Sequence, residues 1–137
     1  VAFAALPAPH IGGTDRIIRH DDGGITMTPD EYQRLALRTA ATLDGQQRVI
    51  NGAMGLAGEA GEVADSVKKW LYQGHALDHE RLAHELGDIL WYVALLSDTL
   101  GYGLEQIMAM NVRKLEARYP GGVFDADRSR NREETHR

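Results

Sequence analysis

Two pairs of acids are placed to do chemistry together. Glu59 and Glu62 stand three residues apart, as do Glu85 and Asp88, and on a helix that spacing puts both members of a pair on one face. If the two pairs lie on adjacent antiparallel helices, the first is about 12 residues before the connecting turn and the second about 9 beyond it. At about 1.5 Å per residue the mismatch is roughly one helical turn, close enough for four carboxylates to converge. Partly desolvated carboxylates raise one another's pKa, and a divalent cation relieves that conflict. Ligation by oxygen alone favours Mg²⁺ or Mn²⁺, and Mg²⁺ commonly works through a few carboxylates together with substrate phosphates and water. A di-iron bundle site would call for Glu-x-x-His pairs from two helices, and here only Glu133 and His136, in the tail, have that spacing. His84 points about 100 degrees away from Glu85 on a helix, and His75 and His79 flank a turn. The chain has no cysteine, which excludes disulfides, thiolate zinc sites, iron–sulfur clusters and cysteine nucleophiles.

The elements that must position these acids are helices. Thr28 can cap a first helix, with Pro29 at its first position, Glu31 completing a capping box, and Met27 and Tyr32 forming a staple. The apolar positions Tyr32, Leu35, Ala36, Thr39, Ala40 and Leu43 predict that it runs to about Asp44-Gly45. A second helix is predicted from about Gln47 to Gln73, stopped by Gly74, and a third from about Asp78 to Leu100, stopped by Gly101. A fourth spans roughly Leu104 to Tyr119 and is closed by Pro120-Gly121-Gly122. The fold class expected is all-α, an antiparallel bundle of about four helices with short connections, strand content being limited to a weak Ile17-Ile18 or Ile25-Thr26 signal. Residues 1–27 read as an arm or loop, 28–122 as the helical domain, and 123–137 as a polar tail able to order on a partner or ligand.

Helix two carries Gly52, Gly55, Gly58 and Gly61, each costing about 1 kcal/mol relative to Ala inside a helix. Spaced by threes, they make a bare flank that admits another backbone or a ligand; close helix packing is the plainer account, and the two are compatible. In helix three the stripe Leu82, Leu86, Ile89 and Val93 has Glu85 at its edge and Asp88 about one sixth of a turn further round. Trp91 and Leu95 occupy the far side, so the helix is apolar nearly all round and its acids are not expected to face open solvent.

Helix four offers the complementary charge. Its stripe of Leu104, Ile107, Met108, Val112 and Leu115 includes Asn111, which turned inward would need a partner. Lys114 and Arg118 follow at three and four, a polar ladder suited to phosphate oxygens. Lys68 and Lys69 offer the same chemistry, although lysines in such positions more often form a solvated face. With 15 Lys plus Arg against 20 Asp plus Glu, the net charge of −5 argues against duplex nucleic acid as a partner, because phosphate neutralisation needs clustered surplus cations. No apolar run approaches the roughly 18 residues of a membrane span, and the apolar opening Val1 to Leu6 lacks the basic lead-in of a signal peptide. The expected location is cytoplasmic.

The segments GLAGEAGEVADSVKKWL, LAHELGDILWYVALLSDTLG, NVRKLEARYPGGVF and DRSRNR resemble the MazG-like nucleoside triphosphate pyrophosphohydrolases of the all-α superfamily, across about residues 29–132. That family's signature is Glu-Glu-x-x-Glu, a gap, then Glu-x-x-Asp. Glu59 and Glu62 match its second and third acids, Glu85 and Asp88 its second half, and the 22 intervening residues fit the gap; the first acid is Gly58 here, as in short members that read GEAGE. The resemblance implies Mg²⁺-dependent cleavage of a nucleoside triphosphate to monophosphate and pyrophosphate. It implies that Glu59, Glu62, Glu85 and Asp88 are metal ligands and catalytic groups, one of them, assigned here to Glu59, serving as general base. It further implies that Lys69, Lys114 and Arg118 neutralise the triphosphate, that Asn111 contacts phosphate or sugar, and that Arg128, Ser129 and Arg132 fold over the nucleotide. Trp70, Trp91 and Tyr92 are candidates for base stacking, though such spacing more often means core. Family members are commonly dimers or tetramers, so a homodimer or homotetramer is expected. Two alternatives stay open: a phosphoribosyl-ATP pyrophosphatase of the same superfamily, and a non-catalytic helical oligomerisation or regulatory module whose acids are structural.

Overall fold

A computed structural model describes residues 18–19 and 25–130. The element order is β1 (Ile18–Arg19), β2 (Ile25–Thr26), α1 (Pro29–Ala36), α2 (Gly45–Tyr72), α3 (His79–Thr99), α4 (Leu104–Arg118) and α5 (Ala126–Arg130), with a 3₁₀ turn at Leu37–Thr39 after α1. The molecule is a helical bundle; its two-residue strands pair antiparallel, Ile18 with Thr26 and Arg19 with Ile25. Most of the expected arm lies outside the described residues, whereas the expected tail is described as far as residue 130 and carries α5.

Helix starts follow the capping chemistry. The Thr28 hydroxyl accepts from the Glu31 N–H at 3.2 Å and Glu31 Oε2 accepts from the Thr28 N–H at 2.6 Å. Asp44 and Gln47 make the same reciprocal pair for α2, and the Asp78 carboxylate accepts from the Arg81 N–H at α3. The first helix is shorter than its periodicity predicts. It tightens to 3₁₀ at Leu37 and leaves 40–44 irregular, because the Asp44 box starts α2 there. At the far end of α3, Gly101 takes φ 79°. Its N–H donates to Asp98 O and the Tyr102 N–H to Ser97 O, a paired closure of the last turn that a side chain at Gly101 would strain. Gly74, at φ 71°, likewise turns the chain out of α2.

The antiparallel pair α2 and α3 is the frame of the fold. Its register is set by close contacts at regular intervals. The Arg48 guanidinium bonds Asp98 at 2.5 Å and the Thr99 hydroxyl at 3.1 Å. Next along the interface, Gly52 lies under Leu96, and Gly55 lies under the Tyr92 ring. Continuing by one turn on each helix brings Glu59 level with Asp88. A Cβ on Gly52 would sit 2.7 Å from Leu96 Cγ, so the bare flank is used for helix packing at these two positions. Gly58 and Gly61 have no neighbour within 4 Å of a built Cβ among the described residues.

The short helix α1 ties the C-terminal end of α3 to the start of α4. Gln33, buried, donates from Nε2 to Ala94 O (3.3 Å) and Tyr102 O (3.1 Å), while its Oε1 accepts from the Leu104 N–H at 2.9 Å. Asp30 Oδ1 accepts from the Glu105 N–H at 2.8 Å. These two side chains cap α4, whose own N-cap, Gly103, has no side chain to do so. The periodic reading of α1 left Gln33 off the inward stripe; the structure puts it inside because three backbone groups there need partners. Trp91 joins this knot, its Nε1 donating to Ala36 O at 3.0 Å and to the Thr39 hydroxyl at 2.9 Å.

The buried apolar side chains among the described residues are Ala94, Leu95 and Leu104. Two expected stripes are therefore only partly covered. On α3 the Leu95 side is buried, and Leu86 is exposed rather than central to the core. On α4 burial is confined to Leu104 in the first turn, while Met108, Val112 and Leu115 are exposed. Asn111 is exposed with them, so it needs no interior partner in this chain.

Candidate functional site

The α2–α3 register brings Glu59, Glu85 and Asp88 together, with one carboxylate oxygen from each lying within 4.8 Å of the others. Two of the three are half-buried and Asp88 is exposed, so the cluster opens to solvent on one side. Glu62 is not among the three. It stands one turn further along α2 and its carboxylate meets the Arg81 guanidinium at 3.4 Å. The same guanidinium reaches Glu85 at 3.4 Å from its Nε. Tyr32, on α1, faces the cluster from a third side, close enough for the Asp88 charge to act on its phenol.

The electrostatics are those of crowded anions. The Glu59 carboxyl is pushed above its ordinary range, first by desolvation and then by the charges of Asp88, Glu85 and Glu62. Desolvation and the Asp88 charge push the Tyr32 phenol up as well. Each shift marks a place where negative charge is disfavoured and a cation would be welcome. The donor set consists of hard oxygens on two rigid helices, which fits Mg²⁺ or Mn²⁺. Glu59, Glu85 and Asp88 are the residues that could hold such an ion, with Glu62 within a turn of them.

A sequence model of the MazG nucleotide pyrophosphohydrolase domain matches residues 48–123, more than half of the chain. The chain belongs to this family. It is also similar to the Gene 37 protein of Mycobacterium phage L5, at 42% identity over 72% of this chain and 94% of the phage protein. No solved structure matches the chain significantly. The matched MazG region contains all four acids together with Lys69, Asn111, Lys114 and Arg118; Arg128 and Arg132 lie past its end.

The cations are placed less uniformly than the acids of this MazG domain. Lys69 and Lys68 both pair with Asp65, Lys69 at 2.6 Å, and the two ammonium groups hold the Asp65 carboxyl down to about 2. Lys114 is exposed on α4, and Arg118 lies 6.0 Å from the Tyr119 ring centre. Arg128 pairs with Asp125 at 3.7 Å on α5, a short helix where a polar extension was expected. Arg132 lies outside the described residues, as do Glu133 and His136. Of the three stacking candidates, Trp91 is engaged with α1 and Tyr92 packs on Gly55 and edge-on to Trp91; Trp70 is exposed.

The sequence reading passed over Tyr32 and Arg81. Tyr32 was assigned to an apolar stripe, and its hydroxyl was the only sign of a second role. Arg81 precedes Glu85 by four residues, the spacing of a helical ion pair, and that signal was available.

Proposed function

We propose that this chain hydrolyses nucleoside and deoxynucleoside triphosphates to the monophosphate and pyrophosphate with Mg²⁺, or Mn²⁺ in its place. The observation that carries the reading is the convergence of Glu59 with Glu85 and Asp88 inside a nucleotide pyrophosphohydrolase domain. Glu62, Glu85 and Asp88 would hold the ion, with Glu59 beside it as general base instead of ligand. When bound, the ion supplies positive charge against the phosphoryl oxygens and makes a water more acidic. Glu59, its affinity for a proton already raised, accepts the proton of the attacking water as general base. The water oxygen bonds to phosphorus, the α–β anhydride bond breaks, and pyrophosphate leaves with the bonding electrons.

Lys69, Lys114, Arg118, Arg128 and Arg132 neutralise the triphosphate and Asn111 contacts phosphate or sugar. For Lys69 this requires exchange of Asp65 for a phosphate oxygen, a swap between two anions on one ammonium. The working form is a homodimer or homotetramer. The exposed side chains of Met54, Leu86, Leu90, Met108, Val112 and Leu115 supply an apolar surface of the kind a second copy would cover. The reaction belongs in the cytoplasm, where the triphosphates are.

A panel of nucleotides with Mg²⁺, assayed separately for pyrophosphate and orthophosphate, tests this reading. Release of pyrophosphate without orthophosphate is expected from at least one triphosphate. Orthophosphate as the sole product, or no turnover across the panel, would overturn it. Inclusion of phosphoribosyl-ATP separates the related pyrophosphatase.

A further inference from the structure

The side chain paired with Glu62, the acid outside the cluster, is Arg81. It sits in the first turn of α3, where the Asp78 carboxylate fixes its backbone N–H at 3.0 Å. From there its guanidinium spans the two helices, with one terminal nitrogen on Glu62 of α2 and Nε on Glu85 of α3, each at 3.4 Å. Glu85 is shared, since it also belongs to the cluster with Glu59 and Asp88. Its side chain is 15% exposed against 54% for Glu62, so Arg81 joins an inner acid to an outer one.

We propose that Arg81 is a positioning residue that stands in for a divalent ion, holding Glu62 at the rim and part of the Glu85 charge until an ion displaces it. This rests on the metal-site reading above and adds a role for a residue outside the acidic signature. A guanidinium and a divalent ion compete for the same carboxylate oxygens, and only one of them can engage Glu85 fully. Both Arg81 pairs are long and the guanidinium they share is half-exposed, hence they are weak and an ion can break them. Once freed, Glu62 lies one helical turn from Glu59 on the same face, and the guanidinium is left at the mouth of the site.

The test is calorimetric titration of the full chain with Mg²⁺ in the absence of nucleotide. Arg81→Gln removes the competitor, and because two weak pairs are lost the dissociation constant is expected to fall about three- to tenfold. Arg81→Lys, which restores a cation at the same place, should return it toward the wild-type value. Lys68→Gln removes equal charge farther along α2, from a side chain paired with Asp65, and should change the constant less than twofold. In the ion-free state Arg81→Gln should melt below wild type, and saturating Mg²⁺ should erase that difference. An Arg81→Gln chain that binds Mg²⁺ no more tightly than wild type overturns the role of Arg81 and leaves the metal site standing. An equal gain from Lys68→Gln does the same, since it would mean that overall charge alone is at work. A wild-type chain that takes up no Mg²⁺ overturns the metal-site reading and this proposal together.

Discussion

Gly55→Ala tests whether the glycine contacts set the position of the acids. The added methyl would fall on the Tyr92 ring, which also packs against Trp91 at 4.9 Å between ring centres and so cannot move without disturbing that contact. Overpacking of this kind costs about 1–3 kcal/mol, offset by about 1 kcal/mol of helix propensity, so a net loss of up to about 2 kcal/mol is expected. Gly58→Ala has open space around the new methyl and should collect the propensity gain alone, up to about 1 kcal/mol. For a chain of this size each kcal/mol corresponds to roughly 3–6 °C in Tm. Thermal melts followed by circular dichroism should therefore separate the two variants by several degrees, with Gly55→Ala the lower. The functional consequence follows from register. Gly55 precedes Glu59 by one turn and Tyr92 follows Asp88 by one turn, so helices forced apart at the ring are also forced apart at the carboxylates. Gly55→Ala should lower Mg²⁺ affinity and Gly58→Ala should not. A Gly55→Ala chain as stable as wild type, with unchanged Mg²⁺ uptake, would refute the claim that this contact sets the helix separation.

Three further outcomes are expected. Asp88→Asn and Glu62→Gln should each abolish pyrophosphate release while far-ultraviolet circular dichroism stays helical; full release from both would dismiss the site assignment. Because the Glu59 carboxyl is raised in the fold, its favourable contribution is complete below its ordinary value of 4.5 and is lost as pH rises through the folded value. Ion-free Glu59→Gln should thus melt above wild type at pH 7 but not at pH 4, and equal offsets at both would count against the crowding argument. Gln33→Leu removes the side-chain partners of the Leu104 N–H and the Tyr102 carbonyl, and the second donor on the Ala94 carbonyl, at a largely buried position, at a cost of about 3 kcal/mol. Urea unfolding that shows a loss below about 1 kcal/mol would mean that water or a shifted backbone satisfies those groups.

The helical architecture was legible because its punctuation is local. Thr28 with Glu31 and Asp44 with Gln47 cap helices through contacts three residues apart, and Gly74 and Gly101 end them through their own dihedral angles. The pairing of Glu59 with Glu85 and Asp88 was legible for a related reason, since one short turn joins the two helices and fixes which faces meet. What could not be read depends on distant partners. Gln33 is polar at a position that only the carbonyls of Ala94 and Tyr102 make an interior one. Asn111 was expected inside a stripe, but whether a stripe is covered depends on what packs over it, and along α4 coverage stops after Leu104. The Lys69–Asp65 pair, by contrast, is local: the two stand four residues apart on α2, the spacing of a helical ion pair.

The distribution of burial explains how a helical pair with so few fully buried apolar side chains among the described residues can still hold carboxylates against one another. The polar ties cluster at one end of the α2–α3 pair: Arg48 on Asp98 and Thr99, Gln33 on Ala94, and Trp91 on α1. Among the described residues of α3, every buried one lies between Ala94 and Thr99. The acids lie away from that end, Glu59 and Asp88 near the middle of their helices and Glu85 beyond them, where side chains are half-buried or exposed. Opening free energies follow buried contacts and shielded hydrogen bonds, so the tied end is the firm one and the acidic end the compliant one. Repulsion among Glu59, Glu85 and Asp88 acts with little leverage on the core, because the glycine contacts at 52 and 55 stand between them and the tied end. An ion arriving at the compliant end can therefore draw the carboxylates in without rebuilding the frame that aims them.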